Sequence, residues 1–243
     1  MCGICGFLSL DGEHNISEEI LRKMSSAQQH RGPDDEGYLC EAGVGFGFRR
    51  LAILDLTPAG HQPMSNEDGT IWLVFNGEIY NFQDLVPALE QAGHRFRSRS
   101  DSEVIIHAYE QWGIDCLQRF IGMFAFAIWD SRKRSVFLAR DRMGEKPLYY
   151  WSNSSHFAFS SELKALLALP SVPRELNLQA LQSYLVYEYV SSPESIFTGI
   201  RKLPAGHFLE IQLDGSAQEC QTTDWRPRRY WDVNFQTSEE SHH

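Results

Sequence analysis

The sequence predicts an α+β fold in which helices cover a sandwich of β-sheets. Strand-like patterns occur in consecutive runs, and helical patterns fall between those runs instead of alternating with single strands. With 243 residues, 42% of them hydrophobic and 12% aromatic, the chain can bury a substantial core as one large domain, with or without a tail. A helix-sheet-sheet-helix sandwich satisfies both observations.

The elements of the first half begin with a strand at residues 3–10, whose apolar side chains fit a buried strand. Ser17 is a suitable N-cap for a helix whose apolar positions follow helical spacing until Gly32-Pro33 ends it. A hairpin follows, at residues 38–40 and 44–48. We then predict a strand at 71–75 stopped by Asn76-Gly77, a helix at 82–92 closed by Gly93, and a helix capped by Ser100 that ends before Gly113.

The second half begins with hydrophobic strands, at residues 123–129 and 135–139, around the turn at 130–134. A second strand pair, 148–151 and 156–160, surrounds the turn-rich segment 152–155. Helices are predicted at 161–169 and 178–187, and ordered structure continues to about residue 211. Residues 212–229 are polar and aperiodic, and the last residues, 238–243, resemble a disordered tail.

Charge and cysteine usage narrow the classes of function. The formal net charge of -10 disfavours a nucleic-acid or anionic membrane surface, so the expected substrate is small. The five cysteines show no disulfide framework spacing, and no apolar run has the length of a signal peptide or membrane span. We therefore expect a reducing, cytoplasmic location.

Cys2 is the residue that points most directly to chemistry. Removal of Met1 would place a thiol and a free α-amino group on one residue, and the amine, with a reference pKa of about 7.7–8.0, can serve the thiol as a base. Two other interpretations stay open at this point. Cys2 could simply be a buried residue, or it could form a redox or zinc-binding C-x-x-C pair with Cys5. No second close ligand pair accompanies these cysteines, so we expect no metal site and predict that Cys5 packs in the core.

Asn76-Gly77 could supply the oxyanion donors that amide hydrolysis requires. An Asn side-chain amide and a Gly backbone N–H can point at one spot, although an Asn-Gly pair is also a common turn. An amino-acid substrate further needs a cation for its carboxylate, which Arg49 or Arg50 can provide, and an anion for its ammonium. Asp101 can be that anion, or a carboxylate that only stabilises a helix N-terminus.

Eight segments closely resemble the class II glutamine amidotransferase domain of glutamine-hydrolysing asparagine synthetases, in the same order and spacing. They are MCGICGF (1–7), HRGPDDEG (30–37), RLAILDL (50–56), NGEIYN (76–81), SDSEVI (100–105), GMFAFAIWD (122–130), RDRMGEKPLYY (140–150) and SSELKAL (160–166). The resemblance covers nearly all of the chain to about Trp231. It implies an N-terminal nucleophile hydrolase fold, a four-layer αββα sandwich of two antiparallel sheets.

The resemblance also implies roles for single residues. The nucleophile falls on Cys2 and the oxyanion donors on Asn76 and Gly77. The arginine that holds the glutamine carboxylate falls on Arg50, which resolves the choice that the residues left open. The remaining implied glutamine contacts are Leu51, Ile53, Leu54, Glu78 and Asp101.

The activity implied is hydrolysis of glutamine through a thioester, with the ammonia passed on for ATP-dependent amidation, by default of aspartate to asparagine. No cofactor is expected for the glutaminase reaction, and ATP and Mg²⁺ only for a synthetase domain or subunit. Residues 2–211 would form the glutaminase domain and 212–243 a linker toward that synthetase domain, whose Ser-Gly-Gly-x-Asp-Ser phosphate loop does not occur in this sequence. We expect a truncation rather than a free-standing subunit, and a homodimer is compatible with the resemblance.

Two further alternatives compete with this interpretation. Glutamine-dependent enzymes that share the nucleophile, such as glucosamine-phosphate synthase or phosphoribosylpyrophosphate amidotransferase, use other acceptors. A catalytically silent regulatory or interaction domain would keep Met1, which would acylate the proposed base.

Overall fold

The computed structural model describes residues 1–11, 16–53, 57–213 and 225–234, and its described part contains two antiparallel sheets and six α-helices. The strands are β1 (Gly3–Ser9), β2 (Asp35–Glu41), β3 (Val44–Arg50), β4 (Met64–Ser65), β5 (Ile71–Ile79), β6 (Gly122–Asp130), β7 (Ser135–Arg140), β8 (Tyr149–Ser152), β9 (His156–Ser160), β10 (Ile200–Lys202), β11 (His207–Gln212) and β12 (Arg228–Arg229). The helices are α1 (Glu18–Ser26), α2 (Phe82–Gln91), α3 (Asp101–Trp112), α4 (Cys116–Arg119), α5 (Leu163–Leu166) and α6 (Leu178–Tyr187).

Each sheet has six strands among the described residues. The first sheet has the strand order β10-β8-β9-β1-β3-β2, and the second has the order β12-β11-β7-β6-β5-β4. All the pairings that build them are antiparallel. The predicted sandwich of two antiparallel sheets is therefore confirmed.

Three apolar clusters hold the layers together. Between the sheets, Phe46 and Phe48 of β3 meet Trp129 of β6. A second cluster packs α2, α3 and α4 on the outer face of the second sheet, and a third packs α1 and α5 on the outer face of the first. This arrangement gives four layers, helix-sheet-sheet-helix.

Strand β3 shows how the alternation of side chains fixes both faces of a sheet. Phe46 and Phe48 point between the sheets, whereas Gly45 and Gly47 point toward α1. A Cβ on Gly47 would lie 2.8 Å from the Cys5 sulfur, so a glycine there allows α1 and β1 to pack closely. Because side chains alternate along a strand, Arg50 belongs to the inner face and Arg49 to the outer face.

The starts of α1 and α3 follow the predicted caps, but α1 ends at Ser26, before the predicted stop at Gly32-Pro33, and a separate 3₁₀ turn at Gln29–Arg31 fills the interval. The Ser17 side chain accepts a hydrogen bond from the Glu19 backbone N–H at the start of α1, and the Ser100 side chain accepts one from Ser102 at the start of α3. Helix α2 ends just before Gly93, whose φ of +102° suits a residue without a side chain.

Strand β5 differs from its prediction because it does not stop at Asn76-Gly77. It continues to Ile79, with Asn76 opposite Ala125 and Gly77 opposite Phe124 of β6. A Cβ on Gly77 would lie 2.2 Å from the Met123 carbonyl oxygen, so this glycine permits close strand pairing instead of forming a turn. The turn interpretation of this dipeptide is therefore wrong.

Two other regions differ in extent. The helix predicted at 161–169 is reduced to the four residues of α5. In the polar segment after residue 212, β12 pairs with β11, and Trp225 packs against the core between the sheets. The predicted tail at 238–243 lies outside the described residues. No helix in the described ranges is both long and apolar enough to cross a membrane.

Candidate active site

The site is a cavity of about 140 Å³ at one end of the sandwich. It lies where the start of β1, the end of β3, the later part of β5 and the first turn of α3 come together. Residues predicted from the sequence to act on glutamine line it: Cys2, Arg50, Leu51, Ile53, Asn76, Gly77, Glu78 and Asp101. Leu54, the remaining predicted contact, lies outside the described residues.

Strand alternation explains how residues far apart in sequence meet. Cys2 is two residues before Ile4 of β1, Arg50 is two residues after Phe48 of β3, and Asn76 is two residues after Val74 of β5. Each of these pairs therefore lies on the same face of its strand. Ile4, Phe48 and Val74 all belong to the cluster between the sheets. The three polar residues therefore continue the inner faces of three strands, at the point where the apolar filling gives way to a cavity.

The Cys2 thiol lies against the backbone of Leu51. Its Sγ donates to the Leu51 carbonyl at 3.7 Å and lies 3.5 Å from the Leu51 N–H. Burial raises the pKa of this thiol, although the Leu51 hydrogen bond, the chain-terminal amine and the guanidinium groups of Arg50 and Arg31 oppose the change. The thiol is therefore the favoured form at neutral pH, and a base is needed to make it a nucleophile.

The chain-terminal amine, one residue before the thiol, is partly withdrawn from solvent. In this structure it belongs to Met1, and its pKa is lowered by burial, with the nearby positive charges of Arg31 and Lys146 adding to the effect. The Arg31 side chain also donates from Nε to the Cys2 carbonyl oxygen at 2.8 Å, which fixes the backbone of Cys2.

Arg49 and Arg50 occupy different environments. Arg49 donates to the Ser25 hydroxyl at 3.0 Å and pairs with Glu36 at 2.6 Å, so its guanidinium is committed to the outer face of the sheet. Arg50 lines the cavity, and its Nη1 donates to the Thr57 carbonyl at 3.1 Å. Only Arg50 of the two is placed to meet a ligand in this cavity.

Asn76 carries an unusual unpaired group. Its side chain is 1% exposed, and its Nδ2 has no hydrogen-bond partner among the described residues. Leaving a buried donor unpaired costs about 1–3 kcal/mol, so such groups require an explanation in a native structure. An amide donor that lines a cavity and has no protein partner is suited to an oxygen of a ligand.

Asp101 is buried at the opening turn of α3. It is 4% exposed, and its Oδ2 accepts the Ile79 backbone N–H at 2.9 Å. Burial is the main cause that raises its pKa to about 6, and the charge of the neighbouring Glu78 adds to the increase. A carboxylate held under these conditions would be stabilised by a cation.

The remaining predicted contacts lie nearer to solvent. Leu51 is partly buried behind the thiol, and Ile53 is 69% exposed at the cavity mouth. Glu78 is partly buried beside Asp101. Leu51 contributes backbone atoms, whereas Ile53 contributes an apolar edge.

Gln62, Ser102 and Lys146 are among the lining residues that were not predicted from the sequence. Gln62 donates to the Ser102 hydroxyl at 3.1 Å and accepts the Phe75 N–H at 2.6 Å, so it connects β5 to α3 behind the cavity. Lys146 is 6% exposed, and its Nζ lies 3.4 Å from the Met1 sulfur. The only sequence signal for Lys146 was its presence in the RDRMGEKPLYY segment.

The alternative C-x-x-C pair is not assembled. Cys5 is fully buried in the cluster between β1 and α1, on the opposite face of β1 from Cys2, and its Sγ donates to the Gly47 carbonyl at 3.6 Å. Burial raises the pKa of Cys5 to about 12. Cys5 is therefore a core residue, as predicted.

Comparisons with known proteins agree with this geometry. A family model described as a glutamine amidotransferase domain matches residues 1–231. Asparagine synthetase [glutamine-hydrolyzing] 2 of Bacillus subtilis is 42% identical over 240 residues, which cover 96% of this chain and 31% of that protein. A putative asparagine synthetase [glutamine-hydrolyzing] 2 of Methanocaldococcus jannaschii is 40% identical, covering 88% of this chain and 44% of that protein.

Among solved structures, glutamine phosphoribosylpyrophosphate amidotransferase from B. subtilis has the same fold, with a TM-score of 0.64 at 20% identity, covering 94% of this chain and 49% of that one. The chain thus spans less than half the length of the relatives it matches. The chain belongs to the glutamine amidotransferase domain family.

Proposed function

We propose that this chain, after removal of Met1, hydrolyses glutamine to glutamate and ammonia with Cys2 as the nucleophile. The observation that carries the proposal is that one cavity collects the Cys2 thiol, the Arg50 guanidinium, the unpaired Asn76 amide and the buried Asp101 carboxylate. These are the four kinds of group that hydrolysis of an amino-acid amide requires.

Substrate recognition follows from the two charged groups. The Arg50 guanidinium can hold the α-carboxylate of glutamine with two parallel hydrogen bonds, and Asp101 can accept from its α-ammonium. Because the charges have opposite sign, they orient the zwitterion and leave the side-chain amide for Cys2. Glu78 adds negative charge on the Asp101 side.

The reaction begins when the α-amine of mature Cys2 takes the thiol proton. The thiolate then attacks the side-chain carbonyl carbon, and the oxygen of the tetrahedral intermediate is stabilised by the Asn76 amide and the Gly77 N–H. The carbon–nitrogen bond breaks, the α-ammonium returns its proton to the leaving group, and ammonia departs from a thioester. Water, deprotonated by the same amine, hydrolyses the thioester to glutamate and restores the thiol.

The ammonia acceptor is the wider part of the proposal. The full-length relatives are named as asparagine synthetases, so we assign delivery to an ATP- and Mg²⁺-dependent domain or subunit that amidates aspartate. The glutaminase steps above use side chains, the Gly77 backbone N–H, the chain-terminal amine and water. A nucleophilic thiol must stay reduced, which favours the cytoplasm.

Labelling with a diazoketone analogue of glutamine tests the proposal. Intact mass should show loss of Met1, and peptide mapping should show one adduct on Cys2 that an excess of glutamine prevents. Cys40 is an internal control, because it is an exposed free thiol outside the cavity and should stay unlabelled.

The silent-domain alternative makes the opposite prediction. Retention of Met1 together with an unlabelled Cys2 would support that alternative, in which the Met1 side chain stays beside Lys146 in the cavity. Glutaminase activity in a protein that retains Met1 would contradict the proposed base.

A further inference from the structure

A second polar cluster lies on α3, two to three turns beyond Asp101. His94, in the segment between α2 and α3, faces His107 and Glu110 of α3, and one donor atom from each lies within 4.8 Å of the other two. The His107 Nδ1 is 2.9 Å from the Glu110 Oε2, and the His94 Nδ1 is 3.6 Å from the same oxygen. None of these residues lines the Cys2 cavity.

We propose that His94, His107 and Glu110 form a binding site for a divalent transition metal, with Zn²⁺ as the best match. Two imidazole nitrogens and one carboxylate oxygen are ligands that zinc accepts, with bonds of about 2.0–2.2 Å. Tetrahedral geometry then separates neighbouring donor atoms by about 3.3–3.6 Å. The two separations that involve Glu110, 2.9 and 3.6 Å, lie within a few tenths of an ångström of this range, and the donor atoms of the two histidines lie within 4.8 Å of each other.

Outer contacts orient each proposed ligand. The His94 Nε2 lies 3.3 Å from the Gln111 side-chain oxygen, which favours a hydrogen on Nε2 and leaves Nδ1 to bind metal. The Glu110 Oε1 accepts from Asn66 Nδ2 at 2.8 Å, which turns Oε2 toward the two histidines. Such carboxylate and amide contacts are the usual second layer of a metal site.

The other ring nitrogen of His107, Nε2, faces Glu103 instead of the proposed metal position. His107 is 1% exposed, and its Nε2 has no hydrogen-bond partner among the residues that the structure describes. The Glu103 Oε1 lies 3.7 Å from that nitrogen, beyond hydrogen-bond distance. A metal on Nδ1 would draw electron density from the ring and strengthen an Nε2–H interaction with this carboxylate, as in carboxylate–histidine–zinc arrangements.

Protonation of His107 competes with metal binding at this site. Burial lowers the pKa of His107, but its contacts with Glu103 and Glu110 outweigh burial and raise the pKa to about 9. Zn²⁺ would therefore displace this proton. The side chains of His94 and Glu110 are 17% and 19% exposed, so solvent can reach the cluster and water can occupy a fourth position.

A bound metal would connect the segment before α3 to the helix that carries Asp101. A zinc site here would correct the expectation from the sequence that the chain has no metal site. It concerns a structural site, because the cluster is separate from the Cys2 cavity and the glutaminase reaction does not require it.

Zinc binding by the purified chain tests the proposal. His242 and His243 are changed to Ala in every protein, because they could bind zinc themselves. Elemental analysis should show one zinc per chain, and competition with a chromogenic chelator should give an affinity at least about ten times weaker for His94→Gln and Glu110→Gln. His207→Gln is the matched control, since His207 contacts the Ala205 carbonyl and lies outside the cluster.

Thermal unfolding gives a readout that does not depend on activity. At a zinc concentration about 100 times Kd, the melting temperature of the parent chain and of His207→Gln should rise by about 5–10 °C. The two ligand variants should show little of this increase. Zinc content in the parent no higher than in His94→Gln, or equal affinities in all four proteins, would overturn the proposal.

Discussion

Two buried carboxylates in the first turn of α3 have pKa values that are shifted in opposite directions. Asp101 and Glu103 are 4% and 7% exposed. Burial raises the pKa of Asp101 to about 6. Burial acts in the same direction on Glu103, but its contacts with His107, Ser98 and the Arg97 backbone outweigh burial and lower its pKa to about 2.

Under the proposed function, the difference separates a structural carboxylate from one that binds the substrate. Glu103 accepts two backbone N–H groups and the Ser98 hydroxyl at 2.7–2.8 Å, so the fold itself satisfies it. The Asn76 Nδ2 has no partner among the described residues, Asp101 accepts the Ile79 N–H and the Ser100 hydroxyl, and both residues line the Cys2 cavity. Substitutions in the cavity should therefore reduce activity and spare stability, and substitutions at Glu103 should do the reverse.

The largest effect is expected for Cys2→Ala, which removes the nucleophile. Glutamate release from glutamine should fall by at least about 10³-fold, while the melting temperature changes little. Cys40→Ser, at an exposed thiol, should keep the parental rate. Activity of Cys2→Ala at the parental rate would refute the assigned nucleophile.

Asn76→Ala should reduce kcat by about 10²–10³-fold, the range seen when one oxyanion donor is removed. The free energy of unfolding should change by less than for most buried polar residues, because Nδ2 has no protein partner among the described residues to lose. A large loss of stability with intact kcat would show that Asn76 is structural and would erase the contrast with Glu103.

Asp101→Asn should raise KM for glutamine by about 10–100-fold, because a neutral amide cannot pair with the substrate ammonium. The amide oxygen can still accept the Ile79 N–H, so the fold should persist. Steady-state kinetics with glutamine measures this change, and an unchanged KM would exclude Asp101 as the ammonium partner.

The pH dependence of kcat/KM provides a second test of the role of Asp101. The parental kcat/KM should fall more steeply below about pH 6 than that of Asp101→Asn, since only the parent protonates this carboxylate. Glu78, Arg50 and Lys146 face the same cavity and remain in both proteins, as does the terminal amine.

The pH dependence of the free energy of unfolding should also report the protonation of Asp101, and its direction is defined. The folded state binds the Asp101 proton more tightly than the unfolded state, so the parent loses stability as pH rises from about 3.8 to about 6. Asp101→Asn should gain relative stability across this range, as denaturant unfolding at several pH values can measure. Parallel stability curves would contradict the raised pKa.

Arg50→Lys should raise KM by about tenfold, because an ammonium cannot reproduce a two-point grip on a carboxylate. Arg49→Lys is the matched control, since Arg49 is committed to Ser25 and Glu36 on the outer face. It should change stability more than KM. A larger kinetic effect for Arg49 than for Arg50 would contradict the assignment by strand face.

Glu103→Gln should have the smallest effect on catalysis, with kcat/KM within about twofold of the parent. Its free energy of unfolding should fall by about 1–3 kcal/mol, because hydrogen bonds to a charged acceptor are replaced by weaker ones. Urea unfolding measures the loss. A glutaminase defect without a loss of stability would show that Glu103 serves catalysis instead of the fold.

Local signals in the sequence were sufficient for the starts of α1 and α3 and the end of α2, but not for the end of α1 or the extent of α5. The Ser17 and Ser100 caps and the position of Gly93 are short-range features, and the structure has helices where they indicate. The error at Asn76-Gly77 was of another kind. A turn and a closely paired strand suit the same dipeptide, and only the neighbouring strand β6 decides between them.

Only part of the site could be predicted from the sequence, because some of its residues meet only through tertiary packing. The alternation of Phe46, Phe48 and Arg50 was a signal in the sequence that could have distinguished Arg50 from Arg49 without any resemblance. Lys146 and Gln62 gave no comparable signal, because their approach to Cys2 depends on how separate strands and loops pack.

The sequence by itself determined the fold class, the family segments and the chemistry that a cysteine at position 2 can perform, since these depend on residue type and short spacing. Only the tertiary structure decided which polar groups are buried without partners. Whether the pKa of Asp101 is raised to about 6, and whether His94 lies close to His107 and Glu110, depends on distances between elements that are remote in sequence. Burial and partner distance set these properties, and neither is a local quantity.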